Sequence, residues 1–127
     1  MNADDLKQRT KSFALRIIRL IESLPPGKTT EVIGRQLLRS GTSVGANYRA
    51  ACRARSQADF ISKMGIVLEE ADESAYWMEL LIESGAIAET KLSALIAEAS
   101  QIVAITVSSI NTAKGNKAVT TTARNSK

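Results

Sequence analysis

The sequence predicts an all-α protein, an up-and-down antiparallel four-helix bundle. Three observations predict it. Apolar residues recur at helical spacing in four successive segments. The punctuation between the segments is short, as antiparallel neighbours require. Only 2 prolines and 7 glycines occur in 127 residues, so long uninterrupted helices are permitted. A chain of this length with 44% hydrophobic residues fits one domain around one core. No internal repeat and no low-complexity domain is evident. The expected domain therefore covers residues 1–112, with a flexible basic tail over 113–127.

The first helix is expected over about 4–24. Leu6, Thr10, Phe13, Ile17, Leu20, Ile21 and Leu24 form its inner face. Asp4 and Asp5 suit the positive end of the helix dipole, and Pro25-Pro26-Gly27 stops the helix. The second helix is expected over about 30–53, with Thr29 or Thr30 as N-cap. It is rich in small residues. At about 100° per residue, Gly34, Gly41, Gly45 and Cys52 share one narrow stripe, along which a neighbouring helix can approach closely. Cys52 reads as a small packing residue on that stripe.

The third helix is expected over about 57–84. Ser56 with Asp59 resembles a capping box, and Gly85 is a natural terminator. Its inner seam is Phe60, Met64, Val67, Leu68, Ala71, Ala75, Met78 and Ile82. The fourth helix is expected over about 89–110, with Leu92, Leu95, Ile96, Ala99, Ile102, Val103, Thr106 and Ile110 inside. From Ala113 onward the chain is polar, basic and aperiodic, hence the expected tail.

Composition excludes much chemistry. The single cysteine cannot form an internal disulfide, and there is no histidine. Ser-His and Cys-His nucleophile pairs are therefore absent, as are the usual neutral-pH base and most transition-metal sites. The expectation is a non-catalytic protein with no metal, no cofactor and no small-molecule substrate. The acidic N-terminus lacks the apolar stretch of a secretory signal. No apolar run is expected to reach the roughly 18 residues that cross a bilayer. A cytoplasmic location without membrane association follows as the expectation.

Charge is unevenly distributed. The formal net charge is +4, yet residues 1–55 carry 11 Lys/Arg against 4 Asp/Glu, and residues 56–113 carry 2 against 9. On the second helix Arg35, Arg39, Arg49 and Arg53 fall within about 80° of arc, and Arg55 follows at its end. Thr42 lies inside the arc and Ser43 at its edge. Cations and hydroxyls on one side of a rigid element suit phosphate recognition. The same face suits ion pairing with an acidic third helix, where Glu69, Asp72, Glu73, Glu79 and Glu83 cluster with Tyr76. Tyr76 and Trp77 point about 100° apart, so one of them lies at the bundle edge. Glu69, Glu73, Tyr76 and Trp77 are thus candidates for a subunit interface.

The stretch from Arg35 to Gly85 carries Ser43-x-x-x-Asn47, then Arg55-Ser56, then Asp59-Phe60 and the run from Glu69 to Gly85. In this combination it resembles the four-helix-bundle family of the 23S rRNA intervening-sequence proteins, also called S23 ribosomal proteins. The resemblance covers roughly residues 6–110. It implies an up-and-down bundle, assembly as a cyclic homopentamer, a bacterial source and an association with RNA or DNA, and it implies no enzymatic activity. Where the family's commonest pattern continues Ala-Asn-Ile-Ala-Glu-Gly, this chain has Ala46-Asn47-Tyr48-Arg49-Ala50-Ala51. The leading expectation is an oligomer that binds nucleic acid through Arg35, Arg39, Arg49, Arg53 and Arg55. The alternative is a homo-oligomeric protein-interaction scaffold with no nucleic-acid role.

Overall fold

Asn2 opens the first helix through a reciprocal pair of hydrogen bonds. Its side-chain oxygen accepts from the Asp5 amide at 2.8 Å, and its own amide donates to the Asp5 carboxylate at 3.2 Å. Two otherwise orphaned amides are satisfied at once. This is a computed structural model in which residues 1–125 are described. It contains α1 (Ala3–Glu22), α2 (Lys28–Cys52), α3 (Gln57–Glu83) and α4 (Glu89–Asn125), with no strand among the described residues. The four helices form an all-α bundle in which sequential helices are neighbours.

The helix limits differ from the expected ones in instructive places. α2 begins at Lys28, capped by Gly27 at φ +156° with no side-chain cap. Thr29 and Thr30 lie inside the first turn because Pro25 and Pro26 end the preceding chain early enough for Gly27 to turn it. Ser56 caps α3 as expected, its hydroxyl accepting from the Asp59 amide at 3.0 Å. Gly85 follows α3 with φ +82°, a conformation that suits glycine.

α4 is longer than its apolar period indicated and runs on to Asn125, through most of the expected tail; residues 126–127 lie outside the described residues. Residues 111–125 contain no proline, so nothing in the backbone forces the helix to stop. α4 also corrects the expectation about apolar length. Between Glu89 and Gly115 the helix is long and apolar enough, by length and composition, to cross a bilayer. Alanine, serine and threonine fill the gaps between its larger apolar residues, so no single apolar run reveals it. In the fold, Leu92, Leu95, Ala99, Ile102 and Thr106 of this helix are buried in the bundle.

The core runs the length of the bundle. Phe13, Ile17, Leu37, Val44, Met64, Met78, Leu81, Leu92 and Ile102 are fully buried. Each such side chain contributes about 1.5–3 kcal/mol relative to exposure. The third-helix seam is rotated slightly from the expected one. Met64, Val67, Ala71, Ser74, Met78 and Leu81 face inward at alternating spacings of three and four, while Leu68, Ala75 and Ile82 are half-buried.

The glycine stripe of α2 faces α1. A Cβ at Gly41 would lie 2.9 Å from Ile17 Cγ1, and one at Gly45 would lie 3.1 Å from Thr10 Oγ1. Gly34 similarly approaches Leu24 and Ile21. Cys52 breaks the pattern. It is exposed, not packed, although its neighbour Ala51 is buried. At the other edge of α1, Arg9 makes a two-pronged pair with Glu98 of α4 at 2.6 and 2.8 Å and also reaches Gln101.

Candidate nucleic-acid interface

The outer face of α2 is the basic stripe expected from the helical wheel. Arg35, Arg39, Arg49 and Arg53 are all exposed, and Arg55 lies exposed in the turn to α3. The side chains of Thr42 and Ser43 are turned back onto their own helix, each donating to a carbonyl one turn earlier at 2.7 and 2.6 Å. Those hydroxyls are therefore engaged, and the face presents charge more than hydroxyl donors.

The stripe divides into pieces with different surroundings. Arg39 leans toward α3 and pairs with Glu70 at 3.1 Å and with Glu73. Glu73 also accepts from the Trp77 indole N–H at 2.9 Å. Arg39 thus belongs to an ion-paired cluster across the α2–α3 seam. Arg35 sits near Glu31 at the rim of a cleft of about 430 Å³ lined by Ile21, Leu24, Pro25 and Pro26. Arg49 and Arg53 lean the other way, toward α1. They line a cleft of about 520 Å³ whose opposite wall carries Lys7 and Lys11. Among the described residues no carboxylate pairs with Arg35, Arg49, Arg53 or Arg55.

Lys7 and Lys11 are the residues that sequence reasoning missed. Their i, i+4 spacing matches that of Arg49 and Arg53 and was visible. What linked the two pairs was the packing of Gly45 on Thr10, which sets α1 beside that part of α2.

The carboxylates of α3 separate in the same way. Glu70 and Glu73 turn toward Arg39, while Glu69, Asp72, Glu79 and Glu83 point outward and are exposed. Tyr76 is 52% exposed beside them. Trp77 is half-buried, its ring 5.2 Å from that of Tyr76 in an edge-to-face arrangement. Of the candidate interface residues, Glu69 and Tyr76 stand on the surface, whereas Glu73 and Trp77 are engaged within the chain. No group of three or more metal-ligating side chains gathers among the described residues.

At the foot of the stripe Lys63 pairs with Asp59 at 2.8 Å, and the Arg55 amide donates to the same carboxylate at 3.2 Å. Both hold the Asp59 carboxyl below the ordinary carboxylate range, the lysine contact foremost. Beside a separate cleft lined by Leu6, Phe60 and Ile105, burial pushes the Tyr48 phenol well above its ordinary range, and a contact with Cys52 adds to the shift.

Fold and surface together define an antiparallel four-helix bundle with a basic face on α2 and an acidic face on α3. The chain belongs to the 23S rRNA-intervening sequence protein family, whose model matches residues 4–108. It is similar to a protein of unknown function from the S23 ribosomal protein family of Bacteroides thetaiotaomicron, known from a crystal structure. The identity is 40% and the TM-score 0.77, over 82% of this chain and 96% of that one. No curated protein matches the chain.

Proposed function

We propose that the protein is a non-catalytic homo-oligomer that binds nucleic acid through the basic face of α2. The observation that carries this reading is the set of exposed arginines on and beside that face, Arg35, Arg49, Arg53 and Arg55, none of which forms a salt bridge among the described residues. A rigid helix bearing such charges meets phosphates with little ordering cost. Assembly multiplies the charge, and the resemblance to a family of ring-forming bundles supports a homopentamer. The missing histidine and the engaged hydroxyls support a binding role over a chemical one.

Titration of labelled RNA and DNA oligonucleotides at low salt tests the reading, with the molar mass in solution measured with and without RNA. Binding that weakens steeply with salt is expected. Absence of affinity for both nucleic acids at low salt removes the reading.

A second reading is favoured by the outward acidic face of α3, which complements the basic face of α2. On that reading the two faces pair between copies, and the protein is an interaction scaffold without a nucleic-acid role. Charge reversal at Arg49 and Arg53 separates the two. It abolishes assembly under the scaffold reading, and leaves assembly intact but abolishes binding under the first.

A further inference from the structure

We infer that the cleft between α1 and α2 seats one sugar–phosphate strand, gripped through its phosphates and not through its bases. This seat presupposes the nucleic-acid reading above and narrows it to a place and a mode of contact.

The cleft has cations on both walls, Lys7 and Lys11 on α1 and Arg49 and Arg53 on α2, and no carboxylate lines it. Each pair is spaced i, i+4, so the cationic rungs on both walls repeat about every 6 Å along the cleft. The floor is made of Ala14, Gly45 and Ala46, with almost no side chain to fill it. It is low because Gly45 lets α1 and α2 nearly touch, a Cβ there meeting Thr10 at 3.1 Å. A channel with a small apolar floor and cationic rims admits a narrow, uniformly charged chain and focuses its field on it.

The other clefts fit less well. The one beside Arg35 is mostly apolar and carries Glu31 next to its arginine. The one holding Arg16, Arg19 and Lys91 is smaller, about 340 Å³, and lies at the opposite edge of α1.

The mode of contact follows from what is missing from the walls. No aromatic side chain lines the cleft, so it offers no platform on which bases stack. The Thr10 and Thr42 hydroxyls are turned to the carbonyls of Leu6 and Leu38. Beside the one side-chain amide of Gln8, arginine and lysine contacts to phosphate then dominate, and these do not read sequence.

The test uses the full chain and fluorescence anisotropy with a labelled oligo-dT and an oligo-U of the same length. The paired variants Lys7→Glu/Lys11→Glu and Arg49→Glu/Arg53→Glu should each weaken binding at least about tenfold, while Arg35→Glu weakens it less than about threefold. Four phosphate contacts predict a log–log salt slope of about −3. An abasic oligonucleotide should compete nearly as well as oligo-dT. Lys7→Gln/Lys11→Gln, which removes charge without reversing it, decides the matter if the charge-reversed chain loses its helical signal.

Wild-type affinity in the lysine variants overturns the seat while leaving the basic face of α2 as binder. Failure of the abasic competitor overturns the phosphate-only mode. No binding of either oligonucleotide by the wild-type chain overturns the functional reading and this inference together.

Discussion

The Ser74 hydroxyl donates to the Ser40 hydroxyl at 3.0 Å inside the seam between α3 and α2, where both side chains are fully buried. Ser40 in turn faces the Leu37 carbonyl at 3.3 Å, and Ser74 lies 2.8 Å from the Glu70 carbonyl. Each serine therefore keeps a backbone partner if the other is lost. Ser40→Ala and Ser74→Ala should each cost about 1 kcal/mol or less, with a coupling of about 0.5 kcal/mol in the double variant. Ser74→Leu should cost about 1–3 kcal/mol, because the seam is closed at that point. Urea denaturation of the four proteins checks this, and a Ser74→Leu chain as stable as wild type would show that the seam is loose.

Two glycines predict opposite responses to alanine. At Gly41 a Cβ would press on the branched root of the fully buried Ile17, which has no flexible end to move aside. Gly41→Ala should therefore destabilise by about 1–3 kcal/mol despite the better helix propensity of alanine. At Gly65, within α3, a Cβ meets nothing within 4 Å. Gly65→Ala should stabilise by up to about 1 kcal/mol. Thermal melts that shift in the same direction for both would contradict the close approach of α1 and α2.

Arg39 is about half exposed, so its pairs with Glu70 and Glu73 are screened. Arg39→Ala should cost less than about 1 kcal/mol. Arg39→Glu places a third carboxylate beside two others and should cost more, with much of the loss recovered in about 1 M salt. Because Trp77 donates to Glu73, its emission should respond to Glu73→Ala and hardly at all to Glu69→Ala. Equal stability of the two Arg39 variants at low salt would show that the cluster does not form in solution.

Tyr48 makes the fold sensitive to alkali. Its folded pKa is raised above the ordinary phenol value of about 10, first by burial. The corresponding stability is fully present below that value and is lost as the pH climbs past it. Tyr48→Phe should flatten the decline in unfolding free energy between about pH 9 and pH 11. An unchanged decline in that variant would assign the sensitivity elsewhere.

The helices were legible because their inner faces recur at 3.6-residue spacing and their ends carry Asp4 and Asp5, Ser56, Gly85 and the proline pair. The seam of α3 was less so. Leu80, Leu81 and Ile82 are consecutive, so period alone does not choose Leu81, and Ser74 is polar and gives no apolar signal. The basic stripe was legible on one helix. Its division was not, because Arg39 goes to α3 and Arg49 to α1, and a helical wheel does not show which neighbour lies on which side.

Each helix packs mainly on a neighbour in the chain, α2 most heavily on α3, and the closing contact of α1 with α4 is the slightest of the seams. The fold therefore needs few encounters between distant parts of the polypeptide. Such topologies reach the native state in roughly microseconds to milliseconds. Synthesis adds only about 5–20 residues per second, so the α1–α2 hairpin can pair while α4 is still being made. The α1–α2 cleft would then take shape before the chain is complete.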